Sequence, residues 1–127
     1  MNKVIVAVDL DGILCEEDNT FDFSHKSIQE RAEWYINKKP IMENIAKVNK
    51  YYGDCKIIIY TARDEVHREM TKWWLDYNKV NYDVLEMSKL KFHAFIDDRA
   101  TNNFKELDNL IESVKDRFRK YEASLWE

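Results

Sequence analysis

The chain is poor in the residues that make tight turns. Its 127 residues include 2 glycines and 1 proline, too few for an all-β fold strung on many turns. Helices joined by a few strands are the alternative. Cysteine is scarce too. Cys15 and Cys55 make no disulfide framework, and so small a pair fits a reducing, cytoplasmic setting. Long apolar runs are missing. The opening MNKVIVAVDLDG meets Asp9 and Asp11 after one short apolar stretch, so it reads as neither a signal peptide nor a membrane span. Charge of one sign is missing as well. Lys and Arg number 20 against 24 Asp and Glu, a net of −4, which argues against a nucleic-acid partner unless a local basic groove exists. A hydrophobic share of 45% with 13% aromatics excludes disordered and fibrous classes.

What is present alternates. No repeat, low-complexity stretch or linker interrupts the chain, and its length suits one domain, 1–127. Apolar runs alternate with helical patterns, the signature of α/β architecture around a parallel sheet. Val4-Ile5-Val6-Ala7-Val8 reads as a strand buried on both faces, and Ile57-Ile58-Ile59-Tyr60 as another. Shorter strands are expected from Tyr82 to Leu85 and from His93 to Ile96. Ser27 and Glu30 have capping-box spacing before a short helix with Ile28, Ala32, Tyr35 and Ile36 on one side. Pro40 suits a helix start and Gly53 a stop. Val66, Met70, Trp73, Trp74 and Tyr77 form the expected core stripe of a helix from Asp64 to Asn78. Phe104, Leu107, Ile111, Val114, Phe118, Tyr121 and Leu125 form that of the last helix. The acidic, then helical, segment of about 15–39 is a flap over the carboxyl end of the sheet.

The chemistry-bearing residues sit at strand ends. Asp9 closes the first strand with Asp11 two residues on, Thr61 closes the second, Lys89 precedes the last, and Asp97 and Asp98 close it. Parallel strands bring their carboxyl ends to one edge, where ligands bind. Asp9, Asp97 and Asp98 are expected to converge there. Clustered carboxylates repel unless a cation sits among them, and hard oxygen ligands suit Mg²⁺. A hydroxyl, loop N–H groups and a lysine ammonium are what a phosphoryl group needs. Each piece alone has a plainer reading: a turn for Asp9 and Asp11, a helix cap for Thr61 or Asp97-Asp98, a surface charge for Lys89. The ordered set is the specific signal.

At these residues the chain resembles the haloacid dehalogenase (HAD) superfamily of phosphotransferases. The matching pieces are Val-Ala-Val-Asp9-Leu-Asp11-Gly12, Ile-Ile-Ile-Tyr-Thr61-Ala62-Arg63, Lys89, and Phe-Ile-Asp97-Asp98-Arg99. The resemblance implies a Rossmann-like three-layer sandwich with a central parallel sheet and no large cap domain. It implies Asp9 as nucleophile forming an aspartyl-phosphate and Asp11 as general acid/base. Thr61, Ala62, Arg63 and Lys89 would form the phosphate and substrate site. Mg²⁺ would be held by Asp9, the Asp11 carbonyl and Asp97, with Asp98 as ligand or support. Within the superfamily the chain resembles small bacterial phosphatases of capsule and polysaccharide biosynthesis, through Pro40, Ile45, Asn49, Tyr51-Tyr52-Gly53 and the spacing from Lys89 to Asp98. The implied substrate is a sugar phosphate or related small metabolite, and a second copy of the chain is the implied source of a lid. Ile13 stands where the family often has Thr, and Leu90 where the sub-family often has Pro.

Other readings compete. A polynucleotide 3′-phosphatase is the alternative, through Ala62-Arg63-Asp64-Glu65-Val66, Trp73-Trp74-Leu75 and Tyr82-Asp83; net charge weighs against it. A binding protein without turnover is more remote, given the intact acids. A two-component receiver domain has its acidic pair before, not after, the phosphorylated residue. Cys15 packs as a small apolar group rather than acting as nucleophile. His25 is a solvated flap residue, His67 and His93 are structural, and Arg63 and Arg99 border the site. Arg63 either binds anions or pairs with Asp97 or Asp98.

Overall fold

The computed structural model describes residues 3–17, 21–92 and 94–126, with side chains described through residue 117. Among the described residues, eight elements follow one another. They are β1 (Ile5–Asp9), α1 (Ile28–Ile36), α2 (Met42–Tyr51), β2 (Lys56–Tyr60), a 3₁₀ turn (Glu65–His67), α3 (Arg68–Tyr77), β3 (Val84–Glu86) and α4 (Phe104–Trp126). The strands form a parallel sheet in the order β1-β2-β3, a Rossmann-like α/β arrangement with helices between the strands. Only α1 and its flanking loops separate β1 from α2. Among the described residues no helix is long and apolar enough to cross a membrane.

The chain divides into two compact units. The larger is Ile5–Lys91 and holds the sheet and the first three helices. β2 is its central strand. Ile57 and Ile59 are fully buried, as a strand paired on both sides requires. β1 departs from expectation: Val8 is buried but Ile5 and Ala7 are exposed. It lies at an edge of the sheet order, so its apolar run is half-buried rather than enclosed. The Ser27–Glu30 capping box forms as the spacing predicts, closed in both directions. Pro40 does not open α2. It bridges to Cys15, and the helix begins at Met42.

The core stripe of α3 also differs. His67, Thr71, Trp74 and Leu75 are buried, whereas Val66, Trp73 and Tyr77 are exposed. Neighbouring positions on a helix lie about 100° apart, so Trp73 and Trp74 cannot both face one narrow core. Trp74 takes the core and donates its Nε1–H to the Lys38 carbonyl at 3.0 Å. Trp73 instead stacks on Tyr77 at 5.0 Å.

The second unit comprises the described residues of 1–4 and 92–127. Leu107 and Ile111 of α4 are buried as its periodicity predicts; Phe118, Tyr121 and Leu125 lie beyond the described side chains. Asn103 caps α4, its Oδ1 accepting from Lys105 N at 2.8 Å. The strand expected from His93 to Ile96 does not form in 94–96, and His93 lies outside the described residues. Those positions carry the apolar pattern, but a strand exists only with a hydrogen-bonded neighbour, and among the described residues no strand pairs with them.

Candidate phosphate-handling site

The site is built on sheet register. Asp9 ends β1 opposite Tyr60, and Tyr60 ends β2 opposite Glu86 of β3. The three strand ends therefore lie on one edge. Pairing runs one step further, Thr61 N donating to Glu86 O at 3.0 Å. The chain after β3 then folds back along the same edge. Ser88 N donates to Arg63 O at 2.8 Å and Lys89 N to Thr61 O at 2.9 Å. Ser88 adopts a left-handed φ of 59° to make this turn. Lys89 is thereby tied to Thr61 through the backbone. Its Nζ reaches to 3.8 Å from Asp9 Oδ1 and lies over the Tyr60 ring at 5.4 Å.

The turn after β1 places the two aspartates. Leu10, fully buried, sits between them, and its carbonyl accepts from the N–H groups of Ile13, Leu14 and Cys15. Gly12 at φ 89° supplies the positive φ that L side chains resist. Asp9 Oδ1 accepts from Leu10 N at 2.8 Å. Burial pushes the Asp9 carboxyl above its ordinary value, against the pull of the Lys89 charge and the Leu10 N–H.

Asp11 is held from two directions. Arg63 grips it through two bonds, Nη2 to Oδ1 at 2.8 Å and Nε to Oδ2 at 3.1 Å. Lys38 Nζ, from the loop between α1 and Pro40, lies 2.9 Å from Oδ1. Burial pushes the Asp11 carboxyl up, but the Arg63 hydrogen bonds and charge, then those of Lys38, outweigh it and bring it from 3.8 down to about 2. Arg63 also donates from Nη1 to Thr71 Oγ1 at 3.2 Å, and its guanidinium lies 4.0 Å over the Tyr35 ring. Its partners are thus Asp11 and Thr71 within the fold. Cys15 is buried and reduced. Burial, then the Asp11 charge, pushes its thiol up to about 12, which suits its reading as a packing residue. His67 is buried, with burial lowering its basicity, and its ring meets Tyr35 edge-on at 5.1 Å.

The larger unit therefore gathers Asp9, Asp11, Thr61, Ala62, Arg63 and Lys89 around one sheet edge. Thr61 is fully buried, its Oγ1 accepting from Arg63 N at 3.2 Å. Among the described residues no hydrogen bond uses the Ala62 N–H or the Asp11 carbonyl oxygen. Hard oxygens for a cation are thus present at the Asp11 carbonyl and the Asp9 carboxylate, although among the described residues no group of three His, Cys, Asp or Glu side chains able to hold a metal ion forms. Asp97 and Asp98 belong to the second unit. There Asp97 Oδ1 accepts from Arg99 N at 2.6 Å, and Asp98 pairs with Arg117 at 3.2 Å. Sequence reasoning missed Lys38 and Tyr35. Lys38 stands in Asn-Lys-Lys-Pro, where nothing separates it from a surface lysine.

No protein-family profile matches the chain, and no curated protein matches it. Solved structures do. A crystal structure of an MCSG target from Vibrio cholerae is 26% identical with a TM-score of 0.61, covering 87% of this chain and 98% of that one. Chains from the Pnkp1/Rnl/Hen1 complex and the Pnkp1/Rnl/Hen1 RNA repair complex are 19% and 18% identical, each with a TM-score of 0.54. They match 95% and 94% of this chain, which spans 35% and 32% of theirs. At that identity the likeness is one of fold.

Proposed function

We propose that the chain is a phosphomonoester hydrolase of the HAD type, dependent on Mg²⁺ and acting through an aspartyl-phosphate on Asp9. The observation that carries this reading is the shared edge where Asp9, Thr61 and Lys89 meet, with Lys89 Nζ 3.8 Å from the Asp9 carboxylate and Asp11 clamped two residues away. A phosphate dianion repels an anionic nucleophile, so the edge must supply positive charge before it can react. Lys89 supplies one such charge. The Thr61 hydroxyl and the unspent Ala62 N–H supply neutral donors for the phosphate oxygens. Asp9 attacks phosphorus, a P–O bond to Asp9 forms, and the bond to the leaving oxygen breaks. The leaving oxygen takes a proton from Asp11, which later takes one back from the water that hydrolyses the acyl phosphate. Asp11 is ionised in the free protein, so its donor role depends on the arriving dianion, whose negative charge raises its affinity for a proton.

The Asp9 carboxylate and the Asp11 carbonyl are the oxygens of the larger unit that would hold a Mg²⁺ ion. Bound there, the ion supplies charge that keeps Asp9 ionised and screens the dianion. The preferred leaving group is a sugar or related small metabolite. The second reading, a polynucleotide 3′-phosphatase, draws support from the fold shared with chains of an RNA repair complex. One panel separates them: sugar phosphates, aryl phosphates and oligonucleotide 3′-phosphates, each with Mg²⁺ and with EDTA. Metal-dependent release from sugar phosphates supports the first reading. Release from oligonucleotides alone promotes the second, and no release from any ester ends both.

A further inference from the structure

We infer that Lys38 is a positioning residue for the reaction proposed above, fixing the Asp11 carboxylate from the flap so that Oδ2 is the oxygen that exchanges protons. The inference rests on how donors divide between the two oxygens. Arg63 alone would load them evenly, one bond to each. Lys38 breaks that symmetry. Oδ1 receives Arg63 Nη2 at 2.8 Å, Lys38 Nζ at 2.9 Å and the Cys15 thiol at 3.4 Å. Among the described residues, Oδ2 receives only Arg63 Nε, at 3.1 Å. A carboxylate oxygen has two lone pairs, so Oδ1 is saturated while Oδ2 keeps one for chemistry.

The placement of Lys38 is built rather than incidental. Its side chain is 5% exposed, rare for a lysine unless paired. Its carbonyl is held by Trp74 Nε1 at 3.0 Å, and its N–H donates to Tyr35 O at 3.3 Å. The next carbonyl, of Lys39, accepts from Glu16 N at 2.9 Å. Its ammonium lies over the Trp34 ring, 6.0 Å from the ring centre, and Glu17 Oε1 lies 3.8 Å from the same nitrogen. Both ends of the flap thus converge on this one ammonium, so flap geometry and Asp11 orientation are set together.

The test has an arm that does not depend on turnover. In ¹⁵N,¹³C-labelled wild-type protein, the Lys38 ammonium is expected to exchange slowly and to show a through-hydrogen-bond correlation from ¹⁵Nζ to the Asp11 carboxyl carbon. A Lys38 ammonium that exchanges like a solvated lysine, with no such correlation, overturns the inference. In the kinetic arm, Lys38→Met keeps an unbranched side chain of similar length and removes the charge. It is expected to lower kcat by about 10–100-fold, the usual effect of removing a group that orients a working ligand, with KM nearly unchanged. Lys38→Arg restores part of that loss. Unchanged kcat in Lys38→Met, or equal losses in kcat and in substrate affinity, also overturns it. A wild-type protein inactive on every ester defeats the phosphatase reading instead, and the ammonium spectrum still decides whether Lys38 holds Asp11.

Discussion

At the scale of single residues, the site's logic is one of opposed carboxylates. Asp9 and Asp11 are two positions apart, yet burial pushes the first up while the Arg63 and Lys38 clamp holds the second near 2. Environments that drive neighbouring acids apart are how one fold assigns them different tasks. Asp9→Asn is expected to abolish phosphate release while leaving the protein folded, with an unfolding midpoint at pH 7 no lower than wild type; appreciable residual release would remove Asp9 as nucleophile. Asp11→Asn is expected to slow turnover by about 10²–10⁴, the range for lost acid/base help, and a wild-type rate would deny that role. Cys15 gives a third test. With its thiol near 12 and no exposed surface, it is expected to resist iodoacetamide at pH 8 in the folded protein and to react once urea unfolds it. Peptide mass spectrometry reads the difference, and rapid labelling of the native chain would contradict the burial.

Elements show where sequence pattern is informative and where it stops. Strand ends were legible because register is rigid: with Asp9 ending one parallel strand and Thr61 following its neighbour, the edge they share follows from topology. The Ser27–Glu30 cap was legible because its two bonds depend only on local spacing. The face of α3 was not. Polar Thr71 and His67 occupy the core side there, Thr71 to receive Arg63, so hydrophobicity alone found Trp74 but misplaced Val66, Trp73 and Tyr77. Lys38 was hidden for a different reason. Its partner is 27 residues away, and only the folded chain brings them together. The α3 correction is measurable by urea unfolding. Trp74→Ala is expected to cost about 3–5 kcal/mol, as deletion of a buried aromatic does. Trp73→Ala, 49% exposed and stacked only on Tyr77, is expected to cost about 1 kcal/mol or less. Equal costs would restore the sequence-based stripe.

For the whole molecule, the clamp on Asp11 ties stability to acidity. Its carboxyl titrates at 3.8 when unconstrained and at about 2 in the fold. A depressed folded value means the stabilisation is fully present above the unfolded value and is lost as pH falls through the folded one. That window runs from about pH 4 down to about pH 2, and the quantity at stake is on the order of 2 kcal/mol. Asp9 acts with the opposite sign. Its folded value is raised, so its ionisation costs the fold stability at neutral pH, and that cost disappears on acidification, partly masking the loss from Asp11. The variant that isolates the clamp is Asp11→Asn, which keeps the shape and removes the titration. It is expected to be about 2 kcal/mol less stable than wild type at pH 7 and to approach wild type as the pH falls toward 2, where about half of the folded Asp11 carboxyls have taken up a proton. Urea midpoints at half-unit steps from pH 7 to pH 2 trace the two curves. Parallel curves across that range would show that Arg63 and Lys38 do not hold Asp11 ionised in solution, and the division of labour between its two oxygens would fall with them.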